Sequence, residues 1–187
     1  YAQSYSNWEI IFWDNASTDS SADIARSYDG KIKYFHTAKN TSLGLARVKA
    51  IRKAGGKYLA FLDCDDIWVE NKLEKQLTLI DREPDIALVY SRCEVISGDG
   101  HSTGIIPERS NLHSGNIFSA LVKENFIPFV SVLISRESYD SVGGFASDYK
   151  NSTDYNLFLK LSYKYQIIAT QDILCKYREH GENLSHS

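Results

Sequence analysis

Tyr58-Leu59-Ala60-Phe61-Leu62-Asp63-Cys64-Asp65-Asp66 is an apolar run that stops abruptly at three carboxylates. Its five consecutive apolar or aromatic side chains read as a strand buried on both faces in the middle of a parallel sheet. The crevice beyond the carboxyl ends of such strands is where an open α/β sheet binds its ligands, so acids delivered there face a ligand and not the core. Asp63 and Asp65 stand at alternate positions, and an extended chain turns both side chains to one side. Two hard oxygen donors on one side suit Mg2+ or Mn2+. These ions take one or two protein carboxylates and complete their shell with water and substrate phosphates. The plainer alternative is a solvated acidic turn ahead of a helix N-terminus, where Asp is also favoured.

The flanking sequence alternates between strand and helix patterns. Upstream, Trp8 to Trp13 reads as a strand, Asn15 to Asp19 as a turn rich in capping residues, and Ile24 to Tyr28 as a short helix. Lys31 to His36 is a second strand. Ser42 opens a helix with Leu43, Ala46, Ala50 and Ile51 on one face, and Gly55-Gly56 is expected to close it as a C-cap. Downstream, Glu70 to Glu83 forms a helix and Ile86 to Tyr90 an apolar strand. Such alternation predicts right-handed βαβ units and a mostly parallel sheet flanked by helices. From Ser97-Gly98-Asp99-Gly100 the pattern becomes mixed, with a tight turn between extended segments. A helix about Ile117 to Lys123, a strand from Val130 to Ser135, a helix from Thr153 to Tyr165 and an extended tail from Ile173 to His180 follow. With no repeat or linker, the 187 residues predict one α/β domain around one sheet.

Charge excludes some functions. The 21 Lys and Arg residues nearly balance 24 Asp and Glu and are scattered, which argues against a nucleic-acid surface. Cys64, Cys93 and Cys175 lie far apart and form no CxxC pair, the pattern of a reducing compartment, with Cys64 and Cys93 expected as small buried hydrophobes. No apolar stretch approaches the ~20 residues that span a bilayer, and no signal peptide opens the chain, so a soluble protein is expected.

Several ligand motifs fail on inspection. No GxGxxG follows the first strand, and Gly56-Lys57 lacks the rest of a phosphate loop. A calcium loop starting at Asp63 would carry Trp68 where Gly is required and Ile67 where an oxygen donor belongs. The segment also resembles phosphatases of the haloacid dehalogenase type, in which Asp63 would be the nucleophile. Their site lies on the first strand of the domain, and their later Lys and paired acids are not evident here.

The other constellations belong together. WEIIFWDNASTD (8–19), SLGLARVKAIRKAGGKYLAFLDCDDIW (42–68), SVLISRESYDSVGGF (131–145), STDYNLFLKL (152–161) and YREHGENLSHS (177–187) follow in order the signature segments of family 2 glycosyltransferases with the GT-A fold, which this chain resembles along almost its whole length. The resemblance implies a nucleotide-diphosphate sugar donor, UDP-sugar ahead of GDP- or dTDP-sugar, and Mg2+ or Mn2+ on a DxD motif. It further implies inverting transfer to a hydroxyl of a glycan or glycolipid acceptor. Residues 1–95 would be the nucleotide-sugar half and 96–187 the acceptor half. Synthesis of bacterial surface polysaccharide or glycolipid is the expected setting, in the cytoplasm or at the inner membrane face, with at most peripheral membrane contact.

Residue by residue, the DxD falls on Asp63, Cys64 and Asp65. Asp65 is similar to the principal metal ligand, and Asp63 to the acid that meets the ribose and the metal shell. Asp14 and Asn15 match acids that contact the nucleobase and ribose. Asn40 and Arg47 match a segment near the donor phosphates, and His180 a C-terminal histidine that some relatives bring to the metal. Thr153 and Asp154 match a glutamate-aspartate pair whose aspartate is the general base. Asn15 and Thr153 depart from the acids expected at their positions. The resemblance also begins partway into the family domain, so an interior strand edge is expected to be open. The open edge and Thr153 leave a nucleotide-sugar binding module without turnover as an alternative, beside the phosphatase reading through Asp63.

Overall fold

The computed structural model describes residues 1–28, 30–146 and 152–181. Its strands are β1 (Ile10–Asp14), β2 (Ile32–His36), β3 (Tyr58–Ala60), β4 (Ile67–Trp68), β5 (Ile86–Ser97), β6 (Ser102–Ile106), β7 (Leu133–Ser135) and β8 (Gln166–Glu179). The helices are α1 (Ser21–Arg26), α2 (Leu43–Ile51), α3 (Lys72–Ile80), α4 (Phe118–Leu121), α5 (Arg136–Ser141) and α6 (Thr153–Lys164). β1 and β2 form a parallel two-stranded ribbon. The other six strands make one mixed sheet in the order β3-β7-β5-β8-β4, with β6 also pairing with β5.

The long central strand β5 organises this sheet. Ala87, Leu88, Val89 and Tyr90 are wholly buried, as expected of apolar residues covered on both faces. β5 runs parallel to β8 and antiparallel to β7 and β6, so it crosses from the expected donor half into the expected acceptor half. α3 and α6 cover the sheet with Leu73, Gln76 and Ile80, and with Leu157, Phe158 and Leu161, at helical spacing. The turn at Ser97 to Gly100 is the hairpin its sequence predicts, joining β5 to β6.

Four expectations are corrected. β3 is a three-residue edge strand, antiparallel to β7 and only partly buried, instead of the middle of a parallel sheet. Its neighbour comes from residues 133–135, far along the chain, and local periodicity carries no signal of such a partner. The predicted strand from Val130 to Ser135 is divided into a 3-10 turn over Phe129–Ser131 and β7. α2 ends at Ile51 with a right-handed cap at Arg52, so Gly55-Gly56 is no C-cap. The Gly55 N–H donates to Glu9 Oε1 at 2.6 Å, and Arg136 donates to the Ala54 and Gly56 carbonyls. The cysteines also differ from expectation. Cys64 is exposed, while Cys93 and Cys175 face each other across the β5–β8 ladder, with Cα atoms 4.9 Å apart, in a disulfide.

Gly143 and Gly144 both have positive φ. At Gly144, φ is +59°, and an added Cβ would overlap the Tyr139 ring. That ring is held where it is because its hydroxyl accepts the Phe145 N–H at 3.0 Å. Gly144→Ala is therefore expected to lower stability by about 2 to 4 kcal/mol through backbone strain and overpacking. A urea midpoint equal to that of the wild type would refute the overlap. No helix among the described residues is long and apolar enough to cross a membrane.

Candidate functional site

Sequence-predicted residues gather where β1 and β3 end, around the start of α2, the start of α6 and the end of β8. Asp14, the last residue of β1, is buried, and both its oxygens are engaged. Oδ1 accepts the Ser17 N–H at 2.7 Å, and Oδ2 accepts the Tyr34 hydroxyl at 2.6 Å. The Tyr34 hydrogen bond and the Ser17 amide hold its pKa below the usual carboxylate value. Asp14 thus fixes the β1–α1 turn as a charged acceptor.

Asn15 engages the loop before α2 with both ends of its amide. Nδ2 donates to the Thr41 carbonyl at 2.7 Å, while Oδ1 accepts from the Thr41 N–H at 3.1 Å and its hydroxyl at 2.9 Å. A carboxylate could not make the first of these bonds, which gives a physical reason for Asn where the resemblance leads one to expect an acid. Asn40 closes the same loop by donating to the Asn15 carbonyl at 3.3 Å. Ser42 then caps α2 by accepting the Leu45 N–H, orienting the helix that carries Arg47.

Beyond β3 the chain turns sharply, with the Asp66 N–H donating to the Asp63 carbonyl at 3.2 Å. The turn separates the acids. Asp63 faces α2, where its Oδ2 lies 3.8 Å from an Arg47 terminal nitrogen. Asp65 faces the end of β8, with Oδ2 3.0 Å from His180 Nε2. Arg178, absent from the sequence-based candidates although it lies in the quoted C-terminal segment, explains that approach. Its guanidinium donates to the Asp65 carbonyl at 3.0 Å, and its N–H donates to Asp66 Oδ1 at 2.9 Å. The same guanidinium reaches the Ser97 and Gly98 carbonyls, so one side chain fastens the acidic turn, β8 and the β5–β6 hairpin together.

Withdrawal from water raises the pKa of Asp63. Arg47 opposes that shift, and the Asp65 and Asp154 charges add to it. Asp66 is pushed up to about 6, again first by burial and against the bond from Arg178. Asp154 stands in the first turn of α6 beside the buried Thr153, close enough for its charge to act on both Asp63 and Arg47. Arg47 also donates to Thr153 Oγ1 at 3.3 Å. Asp63, Arg47, Thr153 and Asp154 are therefore neighbours, while Asp14, Asn15 and Asn40 bond within the β1–α1 turn, to Tyr34 of β2 and to the loop before α2.

Among the described residues no group of three or more His, Cys, Asp or Glu side chains converges on one metal-sized point. Asp65 and His180 supply a carboxylate oxygen and an imidazole nitrogen side by side, and Asp63 offers a half-exposed carboxylate from the same turn. Few protein donors of this kind fit a Mg2+ or Mn2+ ion that keeps positions for water and phosphate oxygens.

The model of the family described as "Glycosyl transferase family 2" matches residues 1–143. Among curated relatives, the chain is 34% identical over 140 residues to TuaG of Bacillus subtilis, named for teichuronic acid biosynthesis, with 72% of this chain and 53% of the relative covered. It is 27% identical over 187 residues to an Escherichia coli protein, WfgD, named as a UDP-Glc:alpha-D-GlcNAc-diphosphoundecaprenol beta-1,3-glucosyltransferase, with 98% of this chain and 70% of that protein covered. The chain thus spans about half the length of TuaG. Among solved structures, S. aureus TarS 1-349 in complex with UDP superposes with a TM-score of 0.77 at 18% identity, covering 95% of this chain and 54% of that one. The mannosyltransferase PcManGT from Pyrobaculum calidifontis, in complex with GDP-Man and Mn2+, gives 0.73 at 19% identity, covering 98% and 52%. These neighbours share the GT-A fold, which the mixed sheet and its flanking helices reproduce. With most of its length matched by one family model, the chain belongs to glycosyl transferase family 2.

Proposed function

We propose that this chain is the donor-binding and catalytic part of a metal-dependent, inverting glycosyltransferase acting in surface polysaccharide or glycolipid synthesis. It takes a nucleotide-diphosphate sugar, UDP-sugar first and GDP- or dTDP-sugar next, and transfers the sugar to a hydroxyl of a glycan or glycolipid. The observation that carries this reading is the convergence, at one end of the sheet, of the Asp65–His180 pair with the Asp63, Arg47, Thr153 and Asp154 group. Family membership favours it over phosphomonoester hydrolysis through Asp63. The neighbours named with UDP and with GDP-Man and Mn2+ support a nucleotide-sugar donor.

Asp65 and His180 would hold the cation, and Asp63, turned toward Arg47, would meet its water shell. When bound, the cation supplies positive charge to the diphosphate leaving group as a Lewis acid. The remaining chemistry falls to the chain. The Asp154 carboxylate takes the proton from the acceptor hydroxyl as that oxygen bonds to the anomeric carbon, and the bond from that carbon to the phosphate oxygen breaks on the opposite face. A single displacement of this kind inverts the anomeric centre. Asn15, Asn40 and Asp14 shape the nucleoside end through the bonds of Asn15 to Thr41, Asn40 to the Asn15 carbonyl and Asp14 to Ser17.

Calorimetric titration with UDP, GDP and dTDP tests the donor and metal parts together. Binding is expected in MnCl2, lost in EDTA, and weakened about 10-fold or more by Asp65→Asn or His180→Ala. Equal affinity in EDTA rejects metal dependence, and no binding of any of the three nucleotides to the wild type rejects the donor reading.

A further inference from the structure

Arg47 belongs to no simple picture of a donor ligand. Its side chain is 13% exposed and lies deep between elements, instead of projecting into the site. The guanidinium carbon stands 4.0 Å from the centroid of the Phe129 ring and 5.8 Å from that of Phe145. Those rings belong to one aromatic shelf. Phe61, just past β3, stacks on Phe129 at 4.8 Å and meets Phe145 edge-on at 5.5 Å, and Phe158 of α6 lies 6.4 Å from Phe129. Four chain segments thus build the surface on which the arginine rests.

A guanidinium seated over a ring and engaged on two sides is held in place, with its two terminal nitrogens reaching different partners. One donates to Thr153 at the start of α6, and the other pairs with Asp63 at the end of β3. The fork is therefore spread between the two elements that carry the candidate metal-side acid and the candidate base. Its positive charge also stands near both Asp63 and Asp154, offsetting the repulsion between them.

We propose that Arg47 is a positioning residue, a clamp between Asp63 and Thr153 that fixes the acidic turn after β3 against the N-terminus of α6 and so sets the span across which Asp154 works. This rests on the functional reading above for its kinetic consequence, but not for its structural one. It differs from the expectation that Arg47 touches the donor phosphates. It also accounts for Thr153, whose hydroxyl receives the clamp without adding a third negative charge beside Asp63 and Asp154.

The test uses Arg47→Met, Arg47→Lys, Thr153→Val and Phe129→Leu in the full chain. Three readouts are taken: UDP affinity in MnCl2, turnover of UDP-glucose or GDP-mannose (whichever the wild type consumes), and amide hydrogen exchange. Arg47→Met is expected to lower kcat ~100-fold, the scale of an ångström of misplacement, with UDP affinity within about threefold of the wild type. Arg47→Lys should not rescue kcat, because an ammonium keeps the charge but neither the stack nor the fork. Thr153→Val should lose up to about 10-fold in kcat, the contribution of one hydrogen bond. UDP affinity reduced more than about 10-fold in Arg47→Met and restored in Arg47→Lys would make Arg47 a phosphate ligand and overturn the clamp. Should Arg47→Met fail to fold, Thr153→Val and Phe129→Leu decide: lowered kcat with unchanged UDP affinity supports the clamp, and unchanged kcat rejects it. If the wild type binds none of UDP, GDP and dTDP, the functional reading falls and exchange alone decides. Faster exchange in the folded variants confined to residues 61–66 and to the first turn of α6, where the Asn156 N–H bonds Ser152, supports the clamp. Uniform or unaltered exchange rejects it.

Discussion

Asp154→Asn is expected to cut glycosyl transfer by ~100-fold to 10,000-fold, the usual contribution of a positioned general base, while UDP affinity in MnCl2 stays within about twofold of the wild type. The substitution preserves the size of the side chain and its place in the first turn of α6, but an amide oxygen does not take a proton from an attacking hydroxyl. Because Asp154 lies on the α6 side and Asp65 pairs with His180 on the β8 side, the change should leave the nucleotide end untouched. The checking measurements are nucleoside diphosphate release at saturating donor and acceptor, and calorimetry with UDP. Transfer within threefold of the wild type would remove Asp154 from its role. A wild-type chain that binds UDP yet transfers nothing to any acceptor hydroxyl would instead favour the binding-module reading that Thr153 first suggested.

The second large effect concerns stability. Lys72 opens α3 and is wholly buried. Its ammonium donates to Gln76 Oε1 at 2.6 Å and to the Val132 carbonyl at 3.3 Å, and it stands 4.3 Å from the centroid of the Trp68 ring. Burial pulls its pKa down from 10.5 to about 7. Between those values the unfolded chain binds a proton that the native chain does not, so native stability rises with pH across the window. Below about 7 both states carry the proton, and the cost of burying the charge is felt in full. Wild-type stability is therefore expected to gain up to about 1.4 kcal/mol per pH unit between pH 7 and 10 relative to Lys72→Met, which has nothing to titrate there. Urea unfolding at a series of pH values measures the difference. Parallel curves for the two proteins would mean that Lys72 titrates alike in both states.

Much of this architecture can be read locally, because the physics that forms it is local. WEIIFWD and YLAFLD are apolar runs with a polar end, so both strands and their terminal acids are legible, and Ser42 is found capping α2 as its position suggests. The five ordered segments that resemble family 2 lead to the family itself. Long-range pairing leaves no such trace. Nothing around Tyr58 announces that residues 133–135 will lie beside it antiparallel, and Cys93 and Cys175 are brought together only by the β5–β8 register. The site divides in the same way. Asp65 and His180 both lie in quoted segments, and the structure sets them side by side. The shelf of Phe61, Phe129 and Phe145 beneath Arg47 is not, because those rings read as ordinary core until three distant segments are stacked.

The ribbon of β1 and β2 pairs with no other strand among the described residues. It is joined to the rest of the fold through α2, through the Asn15–Thr41 latch, and through Tyr5 and Trp8, which pack against the cluster of Leu73, Ile80, Ile86, Val89 and Leu133. A change at Asn15 therefore bears on more than the β1–α1 turn, because the same amide fixes the loop from which α2 and Arg47 set out.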